Sequence, residues 1–258
     1  MTTLSRAEKL ELLALHEERE RRASGNKLKL YRAYPKQAEF HAAGLTFRER
    51  LLMAGNQLGK TWSAGFETAM HLTGRYPDSW QGRAFDKAIA AWAAGVTTEV
   101  TRDSVQRVLC GRINAIGTGA IPRDAIKDKS LKRGVSDALD TLVIRHGGGG
   151  DIQAGESLLG FKSYDQGREK FQAETLDWVW LDEEPDDDIY FEALTRTNAT
   201  AGSLAMTFTP LKGMTNTVKR FLSEKPPGTH VTRMGEDPRC SIDWHWLPCC
   251  PSRCAPAQ

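Results

Sequence analysis

Short apolar runs alternate with amphipathic stretches through most of the chain. Leu51-Leu52-Met53-Ala54, Ala88-Ile89-Ala90-Ala91-Trp92-Ala93, residues 176–181 and residues 203–208 each read as a strand buried on both faces. Residues 36–43, 60–73, 102–109, 186–195 and 214–222 have helical spacing. Residues 141–145 and 157–161 flank Gly147-Gly148-Gly149-Gly150 and predict a hairpin, and residues 28–31 predict a short extended piece. Buried strands separated by helices predict an α/β fold with a mostly parallel central sheet flanked by helices. Ahead of it, residues 4–23 predict a charged helix with Leu4, Leu10, Leu12, Leu13 and Leu15 toward one side, stopped by Ser24-Gly25-Asn26. Such an arm is either solvated or docks a partner. From residue 235 the periodicity ends, and four prolines and Cys240, Cys249, Cys250 and Cys254 crowd the stretch in a spacing that fits no zinc pattern. The expected division is an arm over 1–27, an α/β domain over 28–234 and an irregular Cys/Pro-rich tail over 235–258.

Composition narrows the function classes. With 35 Lys+Arg against 33 Asp+Glu over 258 residues, net charge gives no argument for nucleic acid, so any such contact must come from a local patch. Arg123, Lys127, Lys129, Lys132 and Arg133 form the densest basic stretch, which a solvated surface explains equally well. No apolar run approaches the ~20 residues that span a bilayer, and the first residues lack a signal core. The expectation is a cytoplasmic protein without membrane contact, and the single cysteine in the body of the chain, Cys110, fits a reducing compartment.

Three segments carry candidate chemistry. In Ala54-Gly55-Asn56-Gln57-Leu58-Gly59-Lys60-Thr61 a buried strand runs into a tight turn that opens a helix. Inward backbone N–H groups and the helix N-terminus suit that turn to nucleotide phosphates. Gly55, Asn56, Gln57, Leu58, Gly59, Lys60 and Thr61 are therefore the candidate nucleotide-binding loop, with Lys60 reaching the β/γ phosphates of ATP and Thr61 offering its hydroxyl to Mg²⁺. The usual pattern has glycine where Ala54 stands. In Trp178-Val179-Trp180-Leu181-Asp182-Glu183-Glu184-Pro185 an apolar strand delivers carboxylates at its carboxyl end, where open α/β sheets place ligands. Asp182 is the candidate metal residue, directly or through water, and Glu183 the candidate base that orients and deprotonates water. Glu184 stays open as the base, and Asp186, Asp187 and Asp188 read as first-turn acids that complement a helix dipole. Thr207 and Thr209, at the end of the strand 203–208, are placed to sense the γ-phosphate and relay its state, or end an ordinary Thr-Pro turn. Gln37 in Tyr34-Pro35-Lys36-Gln37 either pairs its amide with an adenine edge or is a helix-surface residue.

Taken together, the loop at 54–61, the strand ending in Asp182-Glu183-Glu184-Pro185, Thr207-Phe208-Thr209-Pro210, the Gln37 segment, the stretch Phe161–Phe171 and Trp92-Ala93-Ala94-Gly95-Val96-Thr97 resemble the large terminase subunit of tailed bacteriophages over roughly residues 30–234. The resemblance implies a P-loop NTPase of the additional-strand type, a Mg²⁺-dependent ATPase that drives double-stranded DNA into a procapsid. It also implies a homo-oligomeric ring acting in the host cytoplasm with a portal protein and a small terminase subunit. The family's C-terminal nuclease domain is not expected from this chain. Phosphoryl transfer is also served by an arginine donated in cis or trans, for which Arg168 is the first candidate and Arg48 and Arg102 remain open, while Arg168 and Lys170 could equally contact DNA or be solvated cations. A helicase-like DNA-dependent ATPase and a nucleotide-binding fragment without hydrolysis are the rival expectations.

Overall fold

The computed structural model describes residues 5–6, 11–16, 27–147, 153–172 and 174–234. The cysteine-rich tail and most of the leucine arm lie outside the described residues. Within the arm, residues 11–16 are helical and exposed.

Eight strands form one sheet: β1 (Glu49–Ala54), β2 (Ala90–Gly95), β3 (Ile126–Leu131), β4 (Leu139–His146), β5 (Gly155–Ser163), β6 (Trp178–Asp182), β7 (Ser203–Phe208) and β8 (Thr229–Met234). Their spatial order is β3-β4-β5-β2-β6-β7-β1-β8. The six strands from β5 to β8 in that order run parallel, while β4 is antiparallel to both β5 and β3. Strand β7 is thus inserted between β1, which feeds the phosphate loop, and β6, which carries the acids. That is the additional-strand arrangement.

Successive side chains of the central strands enter opposite cores, as the period of two requires. Leu52, Trp178, Trp180 and Ala205 join Phe66 and Met70 of the helix Lys60–Thr73 on one face. Leu51, Val179, Leu181, Met206 and Phe208 join Tyr190 and Phe221 on the other, where the helix Asp187–Arg196 and the helical stretch 216–224 lie. A further helical stretch, 98–110, has a π turn at Arg102–Gln106 and starts at Thr97, whose hydroxyl accepts from the Val100 N–H. It packs directly on the Lys60–Thr73 helix at Gly65, where a Cβ would stand 2.4 Å from Val108 Cγ1.

The structure departs from the sequence-based reading in three places. Residues 27–30 form a 3₁₀ turn instead of an extended piece, with Leu28 buried. Strands β3 and β8 had no clear pattern: β3 is an edge strand exposed along most of its length, and β8 is half-buried. The helical stretch 98–110 begins earlier than its apolar spacing suggested. The basic stretch forms β3 and its flanks, at the far edge of the sheet from β1.

Beneath the phosphate-loop helix lies a buried charge network. Arg50 of β1 and Glu67 of the Lys60–Thr73 helix are both fully buried, with Arg50 Nη2 donating to Glu67 Oε1 at 2.8 Å and Nη1 to the Phe40 carbonyl at 2.7 Å. His41 Nδ1 lies 2.9 Å from Glu67 Oε2. These charges hold Glu67 well below the usual carboxylate range despite its burial, which opposes ionisation. Removing one partner leaves an uncompensated buried charge, so Glu67→Ala is expected to destabilise the domain by about 3–5 kcal/mol. The Arg50→Met/Glu67→Leu double variant is expected to recover most of that loss. Urea unfolding of the single and double variants checks this, and equal stability of Glu67→Ala and the parent would refute it.

Candidate nucleotide and metal site

The loop after β1 is held by two left-handed residues, Gln57 (φ 64°) and Gly59 (φ 81°), the second being the N-cap of the Lys60–Thr73 helix. Ala54 is the last residue of β1, so no left-handed backbone is needed there. An alanine in place of the usual glycine is therefore compatible with the turn. Its carbonyl lies 2.9 Å from Thr209 Oγ1, which ties the loop to the end of β7.

Strand register aligns the rest. Thr207 pairs with Leu52 of β1 on one side and with Asp182 of β6 on the other. The Asp182 carboxylate is buried and accepts three hydroxyls: Thr207 at 2.7 Å and Thr61 at 3.1 Å on Oδ1, and Ser104 at 3.1 Å on Oδ2. Trp180 Nε1 donates to Thr207 Oγ1 at 2.9 Å and so orients that hydroxyl toward the acid. Burial, reinforced by the charge of Glu183, raises Asp182 to about 6, and the three hydroxyls pull against that rise.

Lys60 joins the remaining parts. Its Nζ donates to Thr209 Oγ1 at 2.9 Å and lies 3.7 Å from Glu183 Oε1. Glu183 is 39 % exposed at its side chain and has φ 66°, an unusual value for a residue with a Cβ. That backbone geometry decides which acid faces the lysine. Strict alternation beyond Asp182 would put Glu184 on its face and Glu183 on the other. The left-handed turn at Glu183 brings Glu183 to Lys60 instead. Glu184 is buried on the opposite side, where its carboxylate pairs with the Thr215 hydroxyl and its carbonyl accepts from Lys212 Nζ at 3.4 Å.

Several expected residues lie elsewhere. Gln37 is buried, and its amide has a protein partner at each end: Nε2 donates to the Gly59 carbonyl at 3.1 Å and Oε1 accepts from the Tyr34 N–H at 3.0 Å. It braces the phosphate loop, in place of presenting the free amide that pairing with adenine needs. Arg168 Nε donates to Glu192 Oε2 at 2.8 Å on the surface of the Asp187–Arg196 helix, with its side chain exposed, and does not reach this chain's own loop. Arg48 precedes β1 at the opposite end of the sheet and bonds the Leu194 carbonyl at 2.9 Å and the Gly202 carbonyl at 3.2 Å. A finger role for Arg48 at this chain's site is excluded by that position. Arg102, on the π turn, pairs with Asp103 at 2.8 Å and the Ser136 carbonyl at 3.0 Å. Asp186 stands at the N-cap of the Asp187–Arg196 helix without a side-chain cap bond, and Asp187 and Asp188 lie in its first turn, with Pro185 just before the cap.

Ser104, Tyr164 and Trp180 also belong to the site, and the sequence reading missed all three. Trp180 was detectable, because a period of two puts it on the face of Asp182. Ser104 and Tyr164 come from unrelated segments brought in by packing.

The oxygens of Thr61 and Asp182 are hard donors of the kind Mg²⁺ prefers. Among the described residues no group of three or more His, Cys, Asp or Glu could hold a metal by itself. The donor set fits an ion that takes its other ligands from phosphate and water. Among the described residues no helix is long and apolar enough to cross a membrane.

Comparison with known proteins agrees with this geometry. The chain is 38% identical over 249 residues to the terminase large subunit of Salmonella phage P22, covering 91% of this chain and 50% of that protein. It is 28% identical over 251 residues to the terminase large subunit of Enterobacteria phage LP7, covering 91% and 52%. The chain spans about half the length of these relatives. The ATPase domain of the Thermus phage P74-26 large terminase has the same fold, with a TM-score of 0.52 at 19% identity over 80% of this chain and 82% of that one. A point mutant of that domain gives 0.56 at 19% identity over 81% and 83%. The family model for the terminase large subunit, T4likevirus-type, N-terminal region matches residues 51–239, and the chain belongs to that family.

Proposed function

We propose that residues 28–234 form a Mg²⁺-dependent ATPase domain that drives double-stranded DNA into a viral procapsid, with the arm before it and the tail after it as separate segments. The observation that carries this reading is the convergence of Lys60, Thr61, Asp182, Glu183 and Thr209 on one side of the loop 55–59. In this reading the N–H groups of 55–61 bind the phosphates of ATP and Lys60 moves from Thr209 to the β/γ oxygens. Thr61 and Asp182 hold Mg²⁺, which supplies charge neutralisation on the phosphates. Glu183 orients the attacking water and takes its proton.

Coupling follows from the bond that Lys60 gives up. The Thr209 hydroxyl contacts Lys60 and lies within reach of both Ala54 O and Asn56 Oδ1. Withdrawal of the lysine leaves Thr209 to the loop alone and alters the start of the 209–215 turn. Beyond that turn, the helical stretch 216–224 links it to the rest of the domain: Asn216 and Thr217 bond Asp187, and Arg220 pairs with Glu49 at 3.0 Å. Partners assigned on this reading are double-stranded DNA, a portal protein, a small terminase subunit and further copies of the chain in a ring, in the host cytoplasm. Arg168, exposed and paired with Glu192, is assigned on this reading as the finger for a neighbour's nucleotide. The basic flank of β3 is the candidate DNA surface, although Lys127 already pairs with Glu156.

Two substitutions test the assignments. Glu183→Gln is expected to lower phosphate release by ~10²–10⁴ while ATP still binds, since that range is the usual worth of a general base. Wild-type turnover in that variant would remove Glu183 from the role. For Asp182 the metal role carries a stability cost. Its folded-state value of about 6 lies above the ordinary 3.8, so the folded chain holds the proton more tightly than the unfolded chain. Stability therefore falls as pH rises from about 4 to about 6 and stays reduced above it. Asp182→Asn removes the buried charge, keeps an oxygen to accept from Thr207 and Thr61, and reverses the Ser104 contact so that the amide donates to that hydroxyl. In EDTA at pH 8 it is expected to unfold at a higher temperature than the parent, by a stability difference of up to ~2–3 kcal/mol, and to lose Mg²⁺-dependent ATP binding. Calorimetry checks the first outcome and titration with a fluorescent ATP analogue the second.

A further inference from the structure

Beyond the loop and the acids, one hydroxyl stands out. Tyr164 follows β5 in the 3₁₀ turn Tyr164–Gln166. Its OH lies 3.0 Å from the Asp182 carbonyl and 3.0 Å from the Glu183 carbonyl. Its single proton is therefore shared between two successive backbone acceptors. The turn that carries it is anchored to the end of β2, because the Asp165 N–H donates to the Val96 carbonyl at 3.1 Å.

These contacts bear on the backbone at Glu183. The peptide joining Asp182 to Glu183 is held at both ends: its carbonyl by Tyr164 and its N–H by the Thr207 carbonyl at 2.8 Å. The next peptide is held at the Glu183 carbonyl by the same tyrosine. Both dihedrals of Glu183 are thus fixed from outside. They need to be, because a left-handed conformation at a residue with a Cβ is intrinsically unfavourable by roughly 1–2 kcal/mol. Without that conformation Glu183 would follow the alternation of β6 away from Lys60. Burial and the two neighbouring carboxylates keep the phenol of Tyr164 well above its usual value, so it remains a donor.

We propose that Tyr164 is a positioning residue for the hydrolytic base: by bonding the carbonyls of Asp182 and Glu183 it locks the left-handed turn that aims the Glu183 carboxylate at the water. The inference rests on the hydrolytic reading of the site. Tyr164 touches neither nucleotide nor metal in this scheme and acts only through Glu183.

The test is Tyr164→Phe, which removes the hydroxyl and keeps the ring that faces Phe171 at 6.4 Å between centroids. Steady-state phosphate release is expected to show kcat lower by about tenfold or more with KM for Mg-ATP unchanged. Binding of a fluorescent ATP analogue is expected to match the parent, and the unfolding temperature to fall by only a few degrees, since two carbonyls lose their donor. In the Glu183→Gln background the same change is expected to add no further loss, because the two residues act as one unit. Incorporating 3,5-difluorotyrosine at position 164, which restores the donor, is expected to recover the parent kcat. Parent turnover unchanged by Tyr164→Phe overturns this inference and leaves the ATPase reading intact, as does an equal further loss in the Glu183→Gln background or a loss confined to KM. Absence of turnover in the parent chain, with ATP bound, overturns the hydrolytic reading and this inference together.

Discussion

A single carboxylate organises the site. Asp182 accepts hydroxyls from three elements that are remote in sequence: the phosphate-loop helix through Thr61, the π turn of the 98–110 stretch through Ser104, and β7 through Thr207. Burial makes its charge costly, and the three donors offset part of that cost. The sheet order makes the convergence possible. Because β7 separates β1 from β6, Thr207 sits in register between the strand that feeds the loop and the strand that ends in the acid. The inserted strand is therefore both a spacer and a contact, and its next hydroxyl, Thr209, is the one that Lys60 holds.

The surroundings supply rigidity where the site is strained or charged. Two tryptophans of β6, Trp178 and Trp180, are fully buried under the phosphate-loop helix and donate to Thr68 and Thr207 at 2.9 Å each. The Arg50–Glu67–His41 network fixes that helix to β1 and to the helix Pro35–Ala42, which in turn carries Gln37 to the Gly59 carbonyl. Gly65 lets the 98–110 stretch approach closely enough for Ser104 to reach the acid. Within the site, left-handed backbone occurs at Gln57 and Gly59 of the phosphate-binding turn and at Glu183.

Much of this was legible in the sequence. Four central strands, the loop after β1, the buried carboxylate at the end of β6 and the hydroxyls at the end of β7 follow from apolar runs bounded by characteristic residues at strand ends. What stayed hidden depends on three-dimensional placement. A strand such as β3, with Lys127, Asp128 and Lys129 in its middle, has no apolar signature, because it is a solvated edge. The amide of Gln37 suited an adenine edge by chemistry alone, and only packing shows it turned to the loop. The choice between Glu183 and Glu184 follows from a positive φ at a glutamate, for which no glycine or asparagine gives warning. Ser104 reaches the site from a turn whose sequence carries no motif, and Tyr164 from the 161–171 stretch, which shares the family resemblance without marking its tyrosine as a site residue.

The most direct test is a crystal structure of the chain with Mg²⁺ and a non-hydrolysable ATP analogue. If the loop and the acids form one site, Lys60 will have left Thr209 for the β/γ phosphate oxygens. Thr61 Oγ1 and the Asp182 carboxylate will both face a single Mg²⁺, and Glu183 will face the γ-phosphate across a water. A nucleotide bound away from residues 55–61, with Lys60 still on Thr209, would contradict that convergence.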